Sequence, residues 1–260
     1  MGVIRSKHAG ADLWLEPLKP NPGGRVRLFC FPYAGGGAAI YQSWARRLPP
    51  SVEVWAGMLP GRGSRLLETP PTRISETVAH LARAIKPYLD KPFAVFGHSM
   101  GAFIGFDLAR RIRGETGVEP VCLFVSGCRA PQLPDPEPPP YDLPDRELIA
   151  FLRRLNGTPE EMFAHPELME LLMPMLRADL EAVATYEYVG GQPLGCPIRA
   201  YGGVRDPRVS AERLAGWREH TTADFAQRMF EGDHFFIHQA EALVAGAVGR
   251  ELSHLADATA

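Results

Sequence analysis

The sequence predicts an α/β protein with a mainly parallel central sheet and helices on both faces. Short apolar runs rich in aromatic and β-branched residues alternate along the chain with longer segments of helical periodicity. Several of the short runs are wholly apolar, which is typical of strands that are buried on both faces. Because strands and helices that alternate in this way form parallel sheets covered by helices, we expect one such sheet.

The first half of the chain carries the strongest strand and helix signals. Residues 1–24 are rich in Pro and Gly and are expected to form an extended lead-in. Strands are predicted at residues 25–31, 52–55, 93–97 and 121–125, and helices at residues 40–48, 74–89 and 102–112.

The alternation of strands and helices stops at Ser126. Seven prolines lie between Pro131 and Pro144, too many for the interior of a helix or a sheet. Helical patterns follow at 145–155 and 160–188, and the alternation then resumes at 197–201, 214–219, 225–230 and 237–255. We therefore interpret residues 1–260 as a single domain in which residues 129–195 form a helical lid insertion.

Four methionines lie among leucines in the second helical pattern of this insertion: Met162, Met169, Met173 and Met175. Methionine fills irregular gaps in cores, and it also repacks readily around varied ligands. The stripe is therefore either ordinary packing or the wall of an adaptable channel for acyl groups, and the sequence does not separate the two.

Composition and charge exclude several classes of partner. The chain has 260 residues, 45% hydrophobic and 22% charged, and a formal net charge of −2, so no nucleic-acid partner is indicated. No apolar stretch reaches the ~20 residues that a membrane span requires, and the N-terminus has no signal-peptide core, so we expect a cytoplasmic protein. The cysteines at 30, 122, 128 and 196 form no C-x-x-C pair, so we expect reduced thiols and no metal site.

A nucleophile motif follows the predicted strand at 93–97. Gly97-His-Ser-Met-Gly101 fits G-x-S-x-G and lies between a strand pattern and a helical pattern. In that context the serine sits on a sharp, strained turn that exposes its hydroxyl at the start of a helix. Glycine at 97 and 101 removes the Cβ atoms that would clash where strand and helix approach. Ser99 is therefore the candidate nucleophile.

A serine hydroxyl is a weak nucleophile near pH 7 and needs an adjacent base, which in turn needs an orienting partner. In α/β-hydrolases these residues follow in the chain order Ser…Asp/Glu…His. Asp206 follows the predicted strand at 197–201, and His234 follows the predicted strand at 225–230. Both therefore lie at carboxyl ends of parallel strands, where ligands bind in open α/β sheets. We predict a catalytic triad of Ser99, His234 and Asp206.

Other residues compete for these roles. Asp233 adjoins His234 and is an alternative to Asp206, as is an acidic residue of the insertion, because an Asp-Pro pair also starts turns. His98 adjoins the nucleophile, but the turn directs neighbouring side chains differently, so a packing or oxyanion-side role is expected. His238 lies four residues beyond His234 in the last predicted helix and is interpreted as a core or surface residue.

The tetrahedral intermediate of acyl transfer needs two N–H donors aimed at its oxyanion. In this fold one donor belongs to the residue after the nucleophile and the other to the loop after an earlier strand. We assign these donors to Met100 and to Ala34 in the loop at 32–37. The three glycines of that loop are alternatively a source of flexibility, whereas a phosphate-binding P-loop is excluded because G-K-[ST] is absent.

Six ordered motifs extend the pattern over residues 25–250. They are Phe31-Pro-Tyr-Ala-Gly-Gly36, Leu59-Pro-Gly-Arg-Gly63, Gly97-His-Ser-Met-Gly101, Ser126-Gly-Cys-Arg-Ala-Pro131, Gly203-Val-Arg-Asp-Pro207 and Gly232-Asp-His-Phe-Phe236. Together they resemble type II thioesterases of the α/β-hydrolase superfamily, the free-standing editing enzymes that accompany modular polyketide synthases and nonribosomal peptide synthetases. The match is weakest over 132–195, where only the character of a helical lid is shared.

The resemblance implies hydrolysis of aberrant or stalled acyl groups from the phosphopantetheine arm of acyl or peptidyl carrier proteins. Position by position, it implies Ser99 as nucleophile, His234 as base and Asp206 as the partner that orients the base. It also implies oxyanion amides at Ala34 and Met100 and a lid formed by the insertion. No cofactor is expected to be bound permanently, because phosphopantetheine belongs to the partner, and a monomer is expected.

Two other enzyme activities and one non-catalytic function remain as alternatives. A general carboxylesterase or lipase would share every catalytic residue and differ in its preferred leaving group. A cyclising thioesterase excised from its synthase would release a cyclic product, but the chain begins with Met1 and shows no carrier-like G-x-D-S-L segment, so we expect a free-standing enzyme. An inactive scaffold that binds carrier proteins is disfavoured because all three triad residue types are present.

Overall fold

The computed structural model describes residues 13–18, 20–135, 137–155 and 163–258, with residues 256–258 described without their side chains. Seven strands in these ranges form one sheet: β1 (Leu15–Pro17), β2 (Val26–Phe31), β3 (Val52–Gly57), β4 (Phe93–His98), β5 (Cys122–Ser126), β6 (Ile198–Gly203) and β7 (Phe225–Phe230). Their spatial order is β1-β3-β2-β4-β5-β6-β7.

The strands from β3 to β7 pair in parallel, and β1 pairs antiparallel with β3. The predicted α/β class with a mainly parallel sheet is therefore confirmed. Strand β1 corrects the expectation that the first 24 residues are only an extended lead-in, because Leu15 pairs with Gly57 and Pro17 with Trp55. An edge strand tolerates Pro17 since it needs no ladder donor on its outer side.

Helices connect the strands and cover both faces of the sheet. The α-helices are α1 (Trp44–Arg47), α2 (Ile74–Ile85), α3 (Met100–Thr116), α4 (Asp145–Leu155), α5 (Pro166–Ala184), α6 (Ala211–Ala215), α7 (Phe236–Gln239) and α8 (Glu241–Ala258). Short 3₁₀ segments lie at Ala38–Tyr41, Gly63–Arg65, Lys86–Tyr88 and Gly216–His220. Among the described helices, none has both the length and the apolar character that a membrane span needs.

Several predicted helices are shorter or interrupted in the structure. The patterns at 40–48 and 214–219 divide into an α-helix and a 3₁₀ segment, and the pattern at 237–255 divides into α7 and α8. Apolar periodicity continues across such a break, so it does not locate the break. Helix α5 ends at Ala184, before the predicted end at 188, and Met162 lies outside the described residues.

Side chains of the central strands alternate between two apolar cores. Phe29 and Val95 belong to one core, together with buried residues of α2 and α3. Leu28 and Phe96 belong to the other core, together with Trp44 of α1 and buried residues of α8. Because both faces of the sheet are covered, central strands such as β4 and β5 are buried at every position and mainly apolar, as the sequence predicted.

The strand order reverses beside β2, and this reversal positions the site. Strand β3 follows β2 in the chain and lies on one side of it, whereas β4 lies on the other side. The connections that leave the carboxyl ends of β2 and β4 therefore diverge, which opens a crevice between them. Residues 33–37 after β2 and Ser99 after β4 border this crevice.

Between β5 and β6, helices α4 and α5 pack on each other through an apolar cluster of their own. Its buried members are Leu148, Leu152, Met169, Met173, Met175, Leu176 and Leu180. Arg177 of α5 donates to the carbonyl oxygens of Tyr141 and Leu143, each at 2.6 Å. These bonds hold α5 against the segment that leads into α4.

Strand β4 and helix α3 meet at a very close approach of their backbones. A Cβ atom on Gly97 would lie 1.9 Å from the carbonyl oxygen of Gly101, and one on Gly101 would lie 2.1 Å from that of Phe31. Ser99, between the two glycines, has φ 53° and ψ −115°. A non-glycine residue in such a conformation costs about 1–3 kcal/mol and persists only where the surrounding structure imposes it.

Two glycines of α3 provide a matched test of this close approach. Gly101→Ala should lower the free energy of unfolding by about 2 kcal/mol or more, because the new Cβ overlaps the backbone of a central strand. Gly114 has no atom within 4 Å of its added Cβ. Gly114→Ala should raise the free energy of unfolding by about 0.5–1 kcal/mol, because alanine is the better helix former. Urea denaturation measures both changes, and similar effects from the two substitutions would contradict the packing explanation.

Candidate active site

Ser99 lies at the carboxyl edge of the sheet, where β4 gives way to α3. Its N–H donates to the carbonyl oxygen of Ser126 at 2.7 Å, which anchors the turn to the neighbouring strand β5. Its side chain lines a cavity of about 340 Å³. The strained turn therefore presents the hydroxyl to open space above the sheet, as G-x-S-x-G predicts.

His234 follows β7 and approaches Ser99 across the sheet edge. Its Nε2 lies 3.0 Å from Oγ of Ser99, and its Nδ1 lies 2.8 Å from Oδ2 of Asp206. A carboxylate only accepts hydrogen bonds, so Nδ1 carries the proton and Nε2 presents its lone pair to the hydroxyl. The structure thus brings the three predicted side chains together in one hydrogen-bonded chain, from the ends of three different strands.

Asp206 is fixed from two sides. Its second oxygen, Oδ1, accepts from the N–H of Arg208 at 2.8 Å and from that of Val209 at 3.3 Å. Its side chain is fully buried, and that of His234 is 10% exposed. A carboxylate bonded to the backbone of its own turn keeps one orientation, which here faces the imidazole.

Asp233, the alternative partner for the base, lies in the turn that carries His234. Its Oδ1 accepts from the N–H of Phe235 at 2.8 Å, which is the contact of a turn residue. The carboxylate that the structure brings to Nδ1 of His234 is that of Asp206.

His98 lies completely buried beneath the site. Its Nε2 lies 3.0 Å from the carbonyl oxygen of His234, and its Nδ1 lies 2.9 Å from Oγ of Ser126. Because a carbonyl only accepts, Nε2 donates and Nδ1 accepts from the serine hydroxyl. Burial, and then the positive charge of a protonated His234, lowers the pKa of His98 well below its ordinary value, so this ring stays neutral. His98 therefore anchors the backbone of His234, which agrees with a packing role.

Tyr33 joins the loop after β2 to helix α7. Its hydroxyl lies 2.8 Å from Nε2 of His238. Burial raises the pKa of Tyr33 to about 12, so the phenol stays protonated and donates to the imidazole. Burial also lowers the pKa of His238, which favours the neutral acceptor. This hydrogen bond gives His238 a specific structural partner that the sequence did not reveal.

The two predicted oxyanion amides belong to elements that border Ser99. Met100 is the first residue of α3, so its N–H has no partner within the helix and lies at the positive end of the helix dipole. Ala34 lines the same cavity as Ser99, in a turn closed by a 2.9 Å hydrogen bond from the N–H of Gly36 to the carbonyl of Tyr33.

The cavity above Ser99 is mainly apolar and is roofed by α4 and α5. The roof consists of Phe151, Leu152, Leu155, Met169, Leu172, Met175, Leu176, Leu180 and Val183. Met169 and Met175 line the cavity, and both also belong to the apolar cluster between the two helices. The methionine stripe therefore serves packing and lines the cavity at the same time.

Arg62 and Asp179 form a buried ion pair at the cavity. The sequence analysis included Arg62 in a motif without giving it a role, and it did not single out Asp179. Nη1 of Arg62 lies 2.7 Å from Oδ2 of Asp179, and Nη2 lies 2.7 Å from Oδ1. Asp179 lies among buried apolar residues of α5. A buried acidic residue on the apolar side of a helix needs a partner, and this was the available signal.

The described ranges contain no group of three or more His, Cys, Asp or Glu side chains arranged to hold a metal ion. Cys30, Cys122, Cys128 and Cys196 are free and buried. Burial raises the pKa of each thiol, so all four remain protonated and unreactive.

Comparison with known proteins places this site in a family. A family model described as a thioesterase domain matches residues 26–252. The gramicidin S biosynthesis protein GrsT of Aneurinibacillus migulanus is 44% identical over 228 residues, which cover 88% of this chain and 89% of that protein. The protein named linear gramicidin dehydrogenase LgrE, of Brevibacillus parabrevis, is 43% identical over 241 residues and 92% of each chain.

A solved structure supports the same assignment. The type II thioesterase BorB from the borrelidin biosynthetic cluster superimposes with a TM-score of 0.85 at 36% identity, over 94% of this chain and 98% of that chain. The residues that match the family model include strands β2 to β7 and the three hydrogen-bonded residues Ser99, His234 and Asp206. This protein therefore belongs to the thioesterase family and has the α/β-hydrolase fold.

Proposed function

We propose that this protein hydrolyses acyl thioesters on the phosphopantetheine arm of acyl or peptidyl carrier proteins. In this role it removes aberrant or stalled acyl groups from a modular polyketide synthase or nonribosomal peptide synthetase. The observation that carries the proposal is the serine hydroxyl at 3.0 Å from an imidazole, on the wall of an apolar cavity. The names of GrsT and BorB support it, since both refer to biosynthesis of a specialised product.

In the first half of the reaction, Nε2 of His234 takes the Ser99 proton while Oγ attacks the thioester carbonyl. Asp206 holds the imidazole in the reactive tautomer and stabilises the imidazolium that forms. The tetrahedral intermediate then collapses, the C–S bond breaks, and the pantetheine sulfur leaves with the proton from His234. The product is an acyl-enzyme ester on Ser99 and a free carrier thiol.

In the second half, a water molecule replaces the thiol. His234 takes one of its protons as the oxygen attacks the acyl-enzyme carbonyl, and then returns that proton to Oγ of Ser99. The carboxylic acid leaves, and the serine hydroxyl is restored. The N–H groups of Ala34 and Met100 stabilise the negative oxygen of both tetrahedral intermediates.

We assign residues 129–195, within a single domain, the role of a lid over the acyl group. The support is that α4 and α5 share an apolar cluster of their own and supply most of the apolar wall of the cavity. Thioesterases of this kind need no cofactor of their own. Phosphopantetheine would arrive with the carrier protein, and we propose a cytoplasmic monomer.

The name of LgrE refers to a dehydrogenase, which would act by hydride transfer. Dinucleotide sites that follow a first strand use glycines spaced as G-x-G-x-x-G. The loop after β2 instead has three consecutive glycines, at positions 35, 36 and 37, and Ile40 at the position of the third. A hydroxyl paired with an imidazole serves acyl transfer, so hydrolysis is the function that this site supports best.

Replacing the nucleophile tests the proposal. Ser99→Ala should lower kcat for an acyl-loaded carrier protein by at least about 10³-fold, as removal of a triad member does elsewhere. Release of the free carrier thiol measures turnover, and the matching oxygen ester is the comparison substrate. A higher kcat/KM for the oxygen ester than for the carrier thioester would favour a general carboxylesterase. Undiminished hydrolysis by the variant would reject the mechanism.

Asp206, which contacts His234, and Asp233, which precedes His234 in the chain, together test the role of the orienting carboxylate. Asp206→Asn should lower kcat by about 10⁴-fold, because an amide favours the wrong imidazole tautomer. Asp233→Asn keeps an oxygen that accepts from Phe235 and should change kcat by no more than about threefold. Kinetics on one acyl thioester, with circular dichroism to verify folding, distinguish the two. A larger loss in Asp233→Asn would reassign the partner of the base.

A further inference from the structure

A buried ion pair connects the roof of the cavity with the loop that carries Ala34. Arg62 follows β3, and Asp179 lies on α5, where the two side chains form a bidentate pair with both N–O distances at 2.7 Å. The side chains are 10% and 5% exposed. Removing two charges from water is costly, so such a pair requires that its remaining donors and acceptors also find partners.

Those remaining partners lie in the turn after β2. Nη1 of Arg62 also donates to the carbonyl oxygen of Gly36 at 2.8 Å, and Oδ2 of Asp179 accepts from the N–H of Gly35 at 2.7 Å. Nε of Arg62 donates to the carbonyl oxygen of Pro60 at 3.1 Å. The pair therefore bonds the turn through one N–H and one carbonyl, on the two residues that follow Ala34.

The turn has a conformation that these bonds fix. The N–H of Gly36 donates to the carbonyl of Tyr33, and Gly35 has φ +82°, which together define a type II turn with Ala34 and Gly35 at its centre. In the type I alternative the peptide between Ala34 and Gly35 is flipped. The N–H of that peptide belongs to Gly35 and is the group that Asp179 holds, whereas the N–H of Ala34 belongs to the preceding peptide. Both peptides join at the Cα of Ala34, so loss of the carboxylate frees the backbone that positions the Ala34 N–H.

We propose that Arg62 and Asp179 are positioning residues that hold the Ala34 amide in place for the oxyanion. The inference rests on the proposed function, since it assigns a purpose to the same oxyanion site. Its consequence is that α5, part of the cavity roof, also sets the transition-state stabilisation at Ser99. If α5 packed in a different position, the N–H of Ala34 and the cavity for the acyl group would both lose their present positions.

A second buried ion pair supplies a matched control. Nε of Arg27 lies 2.8 Å from Oε2 of Glu53, and the side chains are 9% and 7% exposed. These residues lie near the starts of β2 and β3, at the opposite edge of the sheet from Ser99. Glu53→Gln therefore disturbs a buried pair without touching the turn at Ala34.

The test compares Asp179→Asn with Glu53→Gln on a p-nitrophenyl ester and on an acyl N-acetylcysteamine thioester. Because removing an oxyanion donor costs 10²–10³-fold, a misplaced donor in Asp179→Asn should lower kcat by about 10- to 100-fold with KM changed less than about threefold. An alkylboronic acid, whose serine adduct places an oxygen in the oxyanion site, should lose affinity by a similar factor. Glu53→Gln should keep kcat and boronate affinity within about twofold of the wild type.

A double variant guards against loss of folding. Arg62→Met with Asp179→Leu removes both charges and refills the space, a kind of exchange that often preserves or raises stability. It should still show the low kcat and the weak boronate binding. Wild-type values for both quantities in a folded double variant, or equal losses in Asp179→Asn and Glu53→Gln, would overturn the inference. Hydrolysis of the p-nitrophenyl ester without hydrolysis of acyl-carrier thioesters would instead reject the proposed function and leave the comparison of variants valid.

Discussion

The strained turn at Ser99 is the constraint on which the rest of the site depends. The backbones of β2, β4 and α3 approach so closely that only glycine fits at positions 97 and 101. The residue between them is then held at φ 53°, where its side chain leaves the sheet and faces a cavity. The cost of this conformation, about 1–3 kcal/mol, is offset by apolar burial on both faces of the sheet.

The remaining groups reach Ser99 because parallel strands end at one edge of the sheet. Asp206 and His234 come from the ends of β6 and β7, and the turn with Ala34 comes from the end of β2. Hydrogen bonds between these loops limit their relative motion: Tyr33 bonds to α7, and His98 bonds to the backbone of His234. The roof helices complete the site with apolar side chains, which exclude water and strengthen electrostatic interactions within it.

Local patterns predicted the fold and the three side chains of the hydrogen-bonded chain, because strand burial, glycine spacing and chain order leave signals within short windows. Other features depend on distant partners. Strand β1 forms because Leu15 pairs with Gly57 of β3. An extended Pro/Gly-rich segment carries no local signal that it will pair with the edge of a sheet. The pair of Arg62 and Asp179 joins residues 117 positions apart. The sequence contains both charges, but only the fold shows that they face each other in the core.

The most direct test of the central claim is to trap the acyl group that the serine is expected to receive. Wild-type protein mixed with an acyl-loaded carrier protein is quenched within its first turnovers, digested and mapped by mass spectrometry. We expect the acyl mass on the peptide that contains Ser99, bound through its Oγ. An acyl adduct on a different residue, or turnover with no acyl-enzyme on any residue, would contradict the account.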